Sequence, residues 1–232
     1  MIEQLQRRKV PLPSDLSDRD CEVWLIDLAI DSALEQQFYH CLAADEQARA
    51  DRLSQPQARR DFIATRSALR SILSEQVGCA MQALSLDYGQ QGKPRLVQGP
   101  PLEFNVSHSQ GKALIGIARS TAIGIDLEKV RSMPKLLALT ERFYAVSEHQ
   151  AIASLDESKR ARAFFEYWTC KEAYLKGTGD GISKVQKLEL AITPDRVEIL
   201  NYPCDRRFQL LQLPLDEGLA QGFVGAIAIA QD

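Results

Sequence analysis

An α+β fold made of two similar halves is what this sequence predicts, on three observations. Short apolar segments are joined by tight turns, which reads as antiparallel strands packed on helices. Two longer segments, 45–76 and 157–176, carry helical periodicity. Short matches also recur in the same order about a hundred residues apart. The 232 residues are 45% hydrophobic and 25% charged, which is ordinary for a folded domain of this length.

The strands justify themselves in turn. Segment 22–28, EVWLIDL, is short and apolar. Segments 102–109 (LEFNVSHS), 112–118 (KALIGIA) and 122–128 (AIGIDLE) follow one another with turn residues between them, so they read as a meander. Later strands are expected at 187–193, 196–200, 208–213 and 222–230. The last, GFVGAIAIA, ends the longest apolar stretch, which is far too short to span a membrane.

The internal matches set the architecture. Ala43, Glu46 and Leu53 fall on Ala145, Glu148 and Leu155 at a shift of 102. LIDL (25–28) falls on GIDL (124–127) at 99, and FIATRSALR (62–70) on WTCKEAYLK (168–176) at 106. QGKALIGIA (110–118) falls on QGFVGAIAIA (221–230) at 111. The expected units are an N-terminal half, 20–119, and a C-terminal half, 120–232, after an extension at 1–19. Duplicated halves pair about a pseudo-two-fold axis, which puts the natural cleft between them. At these shifts Arg66 faces Glu172, Arg70 faces Lys176, and Ala29 stands where the second half has Glu128. One wall of the cleft would be basic and the other acidic, which suits a ligand with several phosphates plus a divalent cation.

Composition excludes some classes of partner. Twenty-eight basic and 31 acidic residues give a net charge of -3, so neither nucleic acid nor an anionic membrane is expected. The opening MIEQLQRRKV lacks the apolar core of a signal peptide. The five cysteines are widely spaced with no CxxC, so a reduced, cytoplasmic protein without a zinc site is expected.

Four segments carry candidate chemistry. In AIGIDLE, strand alternation puts Ile123, Ile125 and Leu127 on one face and Gly124, Asp126 and Glu128 on the other. The pair is either a solvated strand edge or two hard oxygen ligands for magnesium, with Gly124 leaving room beside the acids. In FFEYWTCKEAYLKGTGDG, Trp168, Glu172 and Lys176 share one helix face, Lys171 sits beside them, and Gly177 is the expected C-cap. In EFNVSHS, Ser107 and His108 point to opposite faces, so they make a poor nucleophile and base. Asn105, Ser107 and Ser109 share a face or cap the turn, and His108 is a candidate phosphate donor. GQQGKPRL (89–96) is no phosphate-binding P-loop and reads as a turn before a strand. Ser147 is the expected N-cap of a short helix, with Glu148 in its first turn as a dipole-favoured acid or a general base.

Taken together and in order, GKP, FNVSHS, GIDLE and WTCKEAYLK resemble the 4'-phosphopantetheinyl transferases of the surfactin-synthetase-activating type. The resemblance implies transfer of phosphopantetheine from coenzyme A to a serine of an acyl or peptidyl carrier protein, with release of 3',5'-ADP. It implies Asp126, Glu128 and Glu172 as ligands for Mg2+, or Mn2+. Glu148 falls where the family places a candidate base, and Lys176 on a candidate acid for the leaving phosphate. Lys93, Ser107, His108 and Lys171 are the implied coenzyme A contacts, and Arg49, Arg52, Arg60 and Arg66 the implied grip on the 3'-phosphate. The resemblance to the two-halved type, rather than to the half-sized branch of the family that assembles as a trimer, implies a monomer, and a basic surface near the first half would favour an acidic carrier. Two other readings share these acids: a magnesium-dependent phosphatase or nucleotidyl transferase, and an inactive coenzyme A- or carrier-binding module.

Overall fold

Every strand pair among the described residues is antiparallel. The computed structural model describes residues 5–16, 19–89, 92–194, 196–204, 206–215, 217–220 and 222–231. Residues 1–4, 17, 18, 90 and 91, on which part of the expected extension and of GQQGKPRL falls, lie outside that set.

The first half runs β2 (Cys21–Asp27), α1 (Ser32–Tyr39), α2 (Ala44–Asp51), α3 (Pro56–Val77), β3 (Leu86–Tyr88), β4 (Pro94–Leu96), β5 (Leu102–Ser109) and β6 (Lys112–Arg119). The expected helix at 45–76 is two helices, because Pro56 at the first turn of α3 starts a new one. The extension is no bystander, since its β1 (Arg7–Lys9) pairs with β2 and completes a sheet ordered β1-β2-β6-β5. Gln110 and Gly111, with φ of 46° and 77°, turn β5 into β6 in the left-handed region that two-residue hairpins favour.

The second half runs β7 (Ile123–Lys129), α4 (Leu136–Phe143), α5 (Val146–Ala153), α6 (Glu157–Thr178), β8 (Glu189–Ile192), β9 (Val197–Asn201), β10 (Phe208–Gln212), α7 (Glu217–Ala220) and β11 (Phe223–Ala230). The meander therefore breaks after β6, because β7 joins β11 in a second sheet ordered β10-β11-β7. Helix α6 passes through Gly177, which is buried, and ends at Thr178 with Gly179 as the left-handed cap. The N-cap of α5 is Ala145, while Ser147 lies in the first turn and bonds Glu189.

Element lengths coincide between the halves. Strands β2 and β7 are seven residues each, α1 and α4 eight, α2 and α5 eight, α3 and α6 22. Laid start to start, Cys21 of β2 falls on Ile123 of β7, 102 positions on, and Pro56 of α3 on Glu157 of α6, 101 positions on. Trp24 and Ile26 then stand where Asp126 and Glu128 do, and Ser71 and Glu75 where Glu172 and Lys176 do.

Three cores hold these layers. One lies between the first sheet and α1 to α3, and one between the second sheet and α4 to α6. The third lies between the two sheets, where Val23, Leu25 and Leu114 meet Ile123, Ile125 and Leu127. The alternate face of β7 carries Gly124 and Asp126 toward α6. The approach is so close that a Cβ on Gly124 would lie 2.0 Å from the Ala173 carbonyl oxygen and 2.3 Å from the Gly177 nitrogen. Gly124 does not open a space beside the acids, as the sequence suggested; helix backbone fills it.

Gly124→Ala should destabilise the protein by at least the ~1–3 kcal/mol typical of overpacking, because rigid backbone lies in the way. The urea midpoint reads this out, and a wild-type midpoint would mean that β7 and α6 separate freely.

Candidate active site

Strand β7 is the edge of its sheet, and among the described residues its outward N–H groups have no strand to pair with. Side chains of β5 take their place. Asn105 Oδ1 accepts from the Ile125 N–H at 2.9 Å, Ser107 Oγ from Leu127 at 3.3 Å, and Ser109 Oγ from Lys129 at 3.2 Å. The two serine hydroxyls then donate to the acids between those residues. Ser107 reaches Asp126 Oδ1 at 2.6 Å, and Ser109 reaches Glu128 Oε2 at 2.9 Å.

Helix α6 supplies the other side of the site. Lys176 Nζ lies 2.6 Å from Asp126 Oδ1, 3.6 Å from Glu172 Oε2 and 3.3 Å from Ser107 Oγ. Burial alone would lower the Lys176 pKa, but the charges of Asp126 and Glu172 outweigh it and the net shift is upward. Burial, then the charge of Asp126, raises the Glu172 carboxyl. Arg131 NH1 pairs with Glu128 at 3.2 Å and lies over the Phe165 ring. Among the described residues no three acids form a ready-made metal cluster. Yet Asp126, 4% exposed, keeps a buried Oδ2 with no partner, and hard carboxylate oxygens suit a magnesium ion.

A cleft of about 470 Å3 adjoins this cluster. Arg49, Arg66, Lys93, His108, Glu172 and Lys176, all expected from sequence, line it together. Both arginine guanidiniums lie over the Phe62 ring, at 5.1 and 5.7 Å, and Arg66 also over Tyr88 at 5.4 Å. Thr65 lines the same wall with a buried hydroxyl that has no partner among the described residues. Lys93, its pKa lowered by burial, donates across the halves to the carbonyls of Ile123 and Lys176 at 3.2 and 3.4 Å. A larger cleft of about 650 Å3 lies on the far side of Lys93, away from the acids.

The other expected residues lie elsewhere. Ser107 is buried in the strand-edge ladder, not in the cleft lining. Arg52 bonds the Ala48 carbonyl of its own helix, and Arg60 lies 3.9 Å from Glu35; neither lines the cleft. Glu148 and Lys171 are both fully buried and pair with each other at 2.8 Å. Glu148 also accepts from the N–H groups of Ala145 and Leu190, each at 2.8 Å, and Lys171 donates to the carbonyls of Val185 and Leu188. Burial raises the one and lowers the other. The first half holds a similar pair, Glu46 with Arg70 at 2.5 Å, and Glu46 likewise accepts from Ala43. Sequence reasoning missed Phe62, Thr65 and Arg131. It placed Asn105, Ser107 and Ser109 on one face, and that alternation of small polar residues on an apolar strand was the available signal.

Comparison with known proteins decides the family. HetI, a 4'-phosphopantetheinyl transferase of Nostoc sp. (strain PCC 7120), is 39% identical over 97% of this chain and 95% of its own. The chain belongs to the 4'-phosphopantetheinyl transferase family. The family model for the 4'-phosphopantetheinyl transferase superfamily matches residues 122–224, which include both acids of β7 and all of α6. A putative 4'-phosphopantetheinyl transferase of Synechocystis sp. is 40% identical over 70% of this chain and 66% of its own. The Sfp transferase of Bacillus subtilis is 31% identical over half of each chain.

Lys171→Met should cost about 3–5 kcal/mol by stranding the buried Glu148 carboxylate. The double variant Glu148→Leu, Lys171→Met should recover much of that loss in urea denaturation. A double variant as unstable as the summed singles would show that the two residues act independently.

Proposed function

We propose that this transferase moves 4'-phosphopantetheine from coenzyme A to a serine of an acyl or peptidyl carrier protein, releasing 3',5'-ADP. The observation behind it is the meeting of Asp126, Glu172 and Lys176 beside a cleft whose far wall holds Arg49 and Arg66. Basic and acidic walls face one cleft, as a polyphosphate ligand with a cation requires.

Asp126, Glu128 and Glu172 would hold magnesium, or manganese, and the partnerless Asp126 Oδ2 supports that reading. When bound, the cation neutralises pyrophosphate oxygens. Arg49 and Arg66, fixed over Phe62, receive the 3'-phosphate, and His108, exposed at the rim, donates to phosphate. Lys93 ties the two halves together beneath the ligand. The carrier serine attacks the β-phosphorus, and the bond to 3',5'-ADP breaks. Lys176, 2.6 Å from Asp126 and lining the cleft, stands ready to donate to the leaving phosphate. Glu172, which of the three acids lines the cleft, is placed to receive the serine proton on the oxygen that does not hold the cation. To Glu148 and Lys171, buried and mutually paired, we assign support of α5 and α6 in place of proton transfer and coenzyme contact. Arg52 and Arg60 serve the surface of the first half.

The halves 20–119 and 120–232 form a pseudo-two-fold duplication with the site between them, supported by equal element lengths and like buried pairs. The enzyme acts as a cytoplasmic monomer. Among the described residues no helix is long and apolar enough to cross a membrane.

Incubation with an apo-carrier, coenzyme A and Mg2+ should add one phosphopantetheine to the carrier by mass spectrometry. Chelation should stop transfer, and added Mg2+ or Mn2+ restore it. No gain on any of several carriers, with phosphate or ADP released from other substrates, would sink the proposal. Asp126→Ala should abolish transfer while circular dichroism stays near wild type; near-normal transfer would refute the metal assignment.

A further inference from the structure

Each acid of β7 shows the same division of its oxygens. Asp126 Oδ1 receives Ser107 and Lys176, and Oδ2 receives nothing. Glu128 Oε2 receives Ser109 at 2.9 Å and Arg131 at 3.2 Å, while Oε1 has no donor among the described residues. In each case a serine of β5 and one cation hold one oxygen, which leaves the other available.

We infer that Ser109 is a positioning residue that sets which oxygen of Glu128 is available to the cation. The inference rests on the metal reading above. A serine hydroxyl has a single proton. The Lys129 N–H already occupies an acceptor position on Ser109 Oγ, at 3.2 Å, so the hydroxyl proton is directed at the Glu128 carboxylate. Ser109 is 9% exposed, so water competes little for that proton. Arg131 is about half exposed and cannot fix the carboxylate alone, because solvent-exposed ion pairs are weak. Without the hydroxyl, Glu128 rotates freely about its terminal bond and both oxygens are drawn to Arg131.

The readout is Mn2+ affinity, measured by electron paramagnetic resonance of free Mn2+ with coenzyme A present and a protein-free coenzyme blank. Ser109→Ala should weaken Mn2+ binding roughly 10-fold or more, the scale on which partners of metal ligands act. Ser109→Thr, which keeps the hydroxyl, should stay near wild type. Should alanine unfold the strand edge, Ser109→Val against Ser109→Thr makes the same comparison at equal shape. Asn105→Ala breaks the ladder at Ile125 without touching an acid; because Asn105 also lines the cleft, this variant is compared with wild type without coenzyme A as well, where it should lower the Tm and leave Mn2+ affinity intact. Equal losses of affinity in Ser109→Ala and Asn105→Ala would overturn the inference, since strand placement alone would then explain both. Binding lost in Asp126→Ala but retained in Ser109→Ala would overturn this inference alone. A wild-type protein that takes up no Mn2+ would overturn the metal reading together with it.

Discussion

The open edge of β7 is the constraint on which the rest depends. A strand edge buried against another sheet leaves N–H groups that must find acceptors, and each one left unpaired costs about 1–3 kcal/mol. A neighbouring strand would satisfy them, but it would also close the gap between the two sheets. Asn105, Ser107 and Ser109 satisfy them from side chains, so the sheets join without merging. That solution fixes strand register across the halves, since each acceptor meets every second residue of β7. It also delivers two hydroxyl protons to Asp126 and Glu128. The Gly124 contact then sets the height of α6, which brings Lys176, with Glu172 beside it, to Asp126.

Where the matched elements agree, the residues build; two of those that differ, Glu172 and Lys176, line the cleft. Ala43 with Glu46 and Ala145 with Glu148 match in sequence because each pair starts a short helix and anchors a buried cation of the following long helix. By contrast, when the elements are laid start to start, Trp24 and Ile26 fall on Asp126 and Glu128, and Ser71 and Glu75 on Glu172 and Lys176. The most repeated acid in the sequence is therefore a scaffold residue, and the acids of the cluster are the unrepeated ones.

The strands were legible because alternation is a property of local sequence, and 102–109 was read to the residue. The approach of Asp126 and Glu172 to one lysine, Lys176, was legible through family motifs. A repeat register is harder to read, because short apolar strands such as LIDL and GIDL match one another at several offsets. The setting of Glu148 was not legible. An acid in a first helical turn looks the same whether it meets water, a ligand or a buried lysine, and only the packing of α5 on α6 and β8 decides. Gly124 was misjudged for the same reason, since a missing Cβ signals close approach without saying what approaches.

Buried polar atoms without partners are rare in folded proteins, and each calls for a reason. Among the described residues there are three: Glu46 Oε1, Thr65 Oγ1 and Asp126 Oδ2. Thr65 lines the cleft, and Asp126 is bonded to Lys176, which lines it too. The charges there are also unequal, for Asp126, Glu128 and Glu172 outnumber their partners Lys176 and Arg131. A core pair such as Glu148 with Lys171 balances charge and uses both carboxylate oxygens. The β7 cluster does neither. Glu46 Oε1, in the buried pair with Arg70, shows that a scaffold carboxylate can also keep a partnerless oxygen, so it is the excess negative charge that sets the β7 cluster apart.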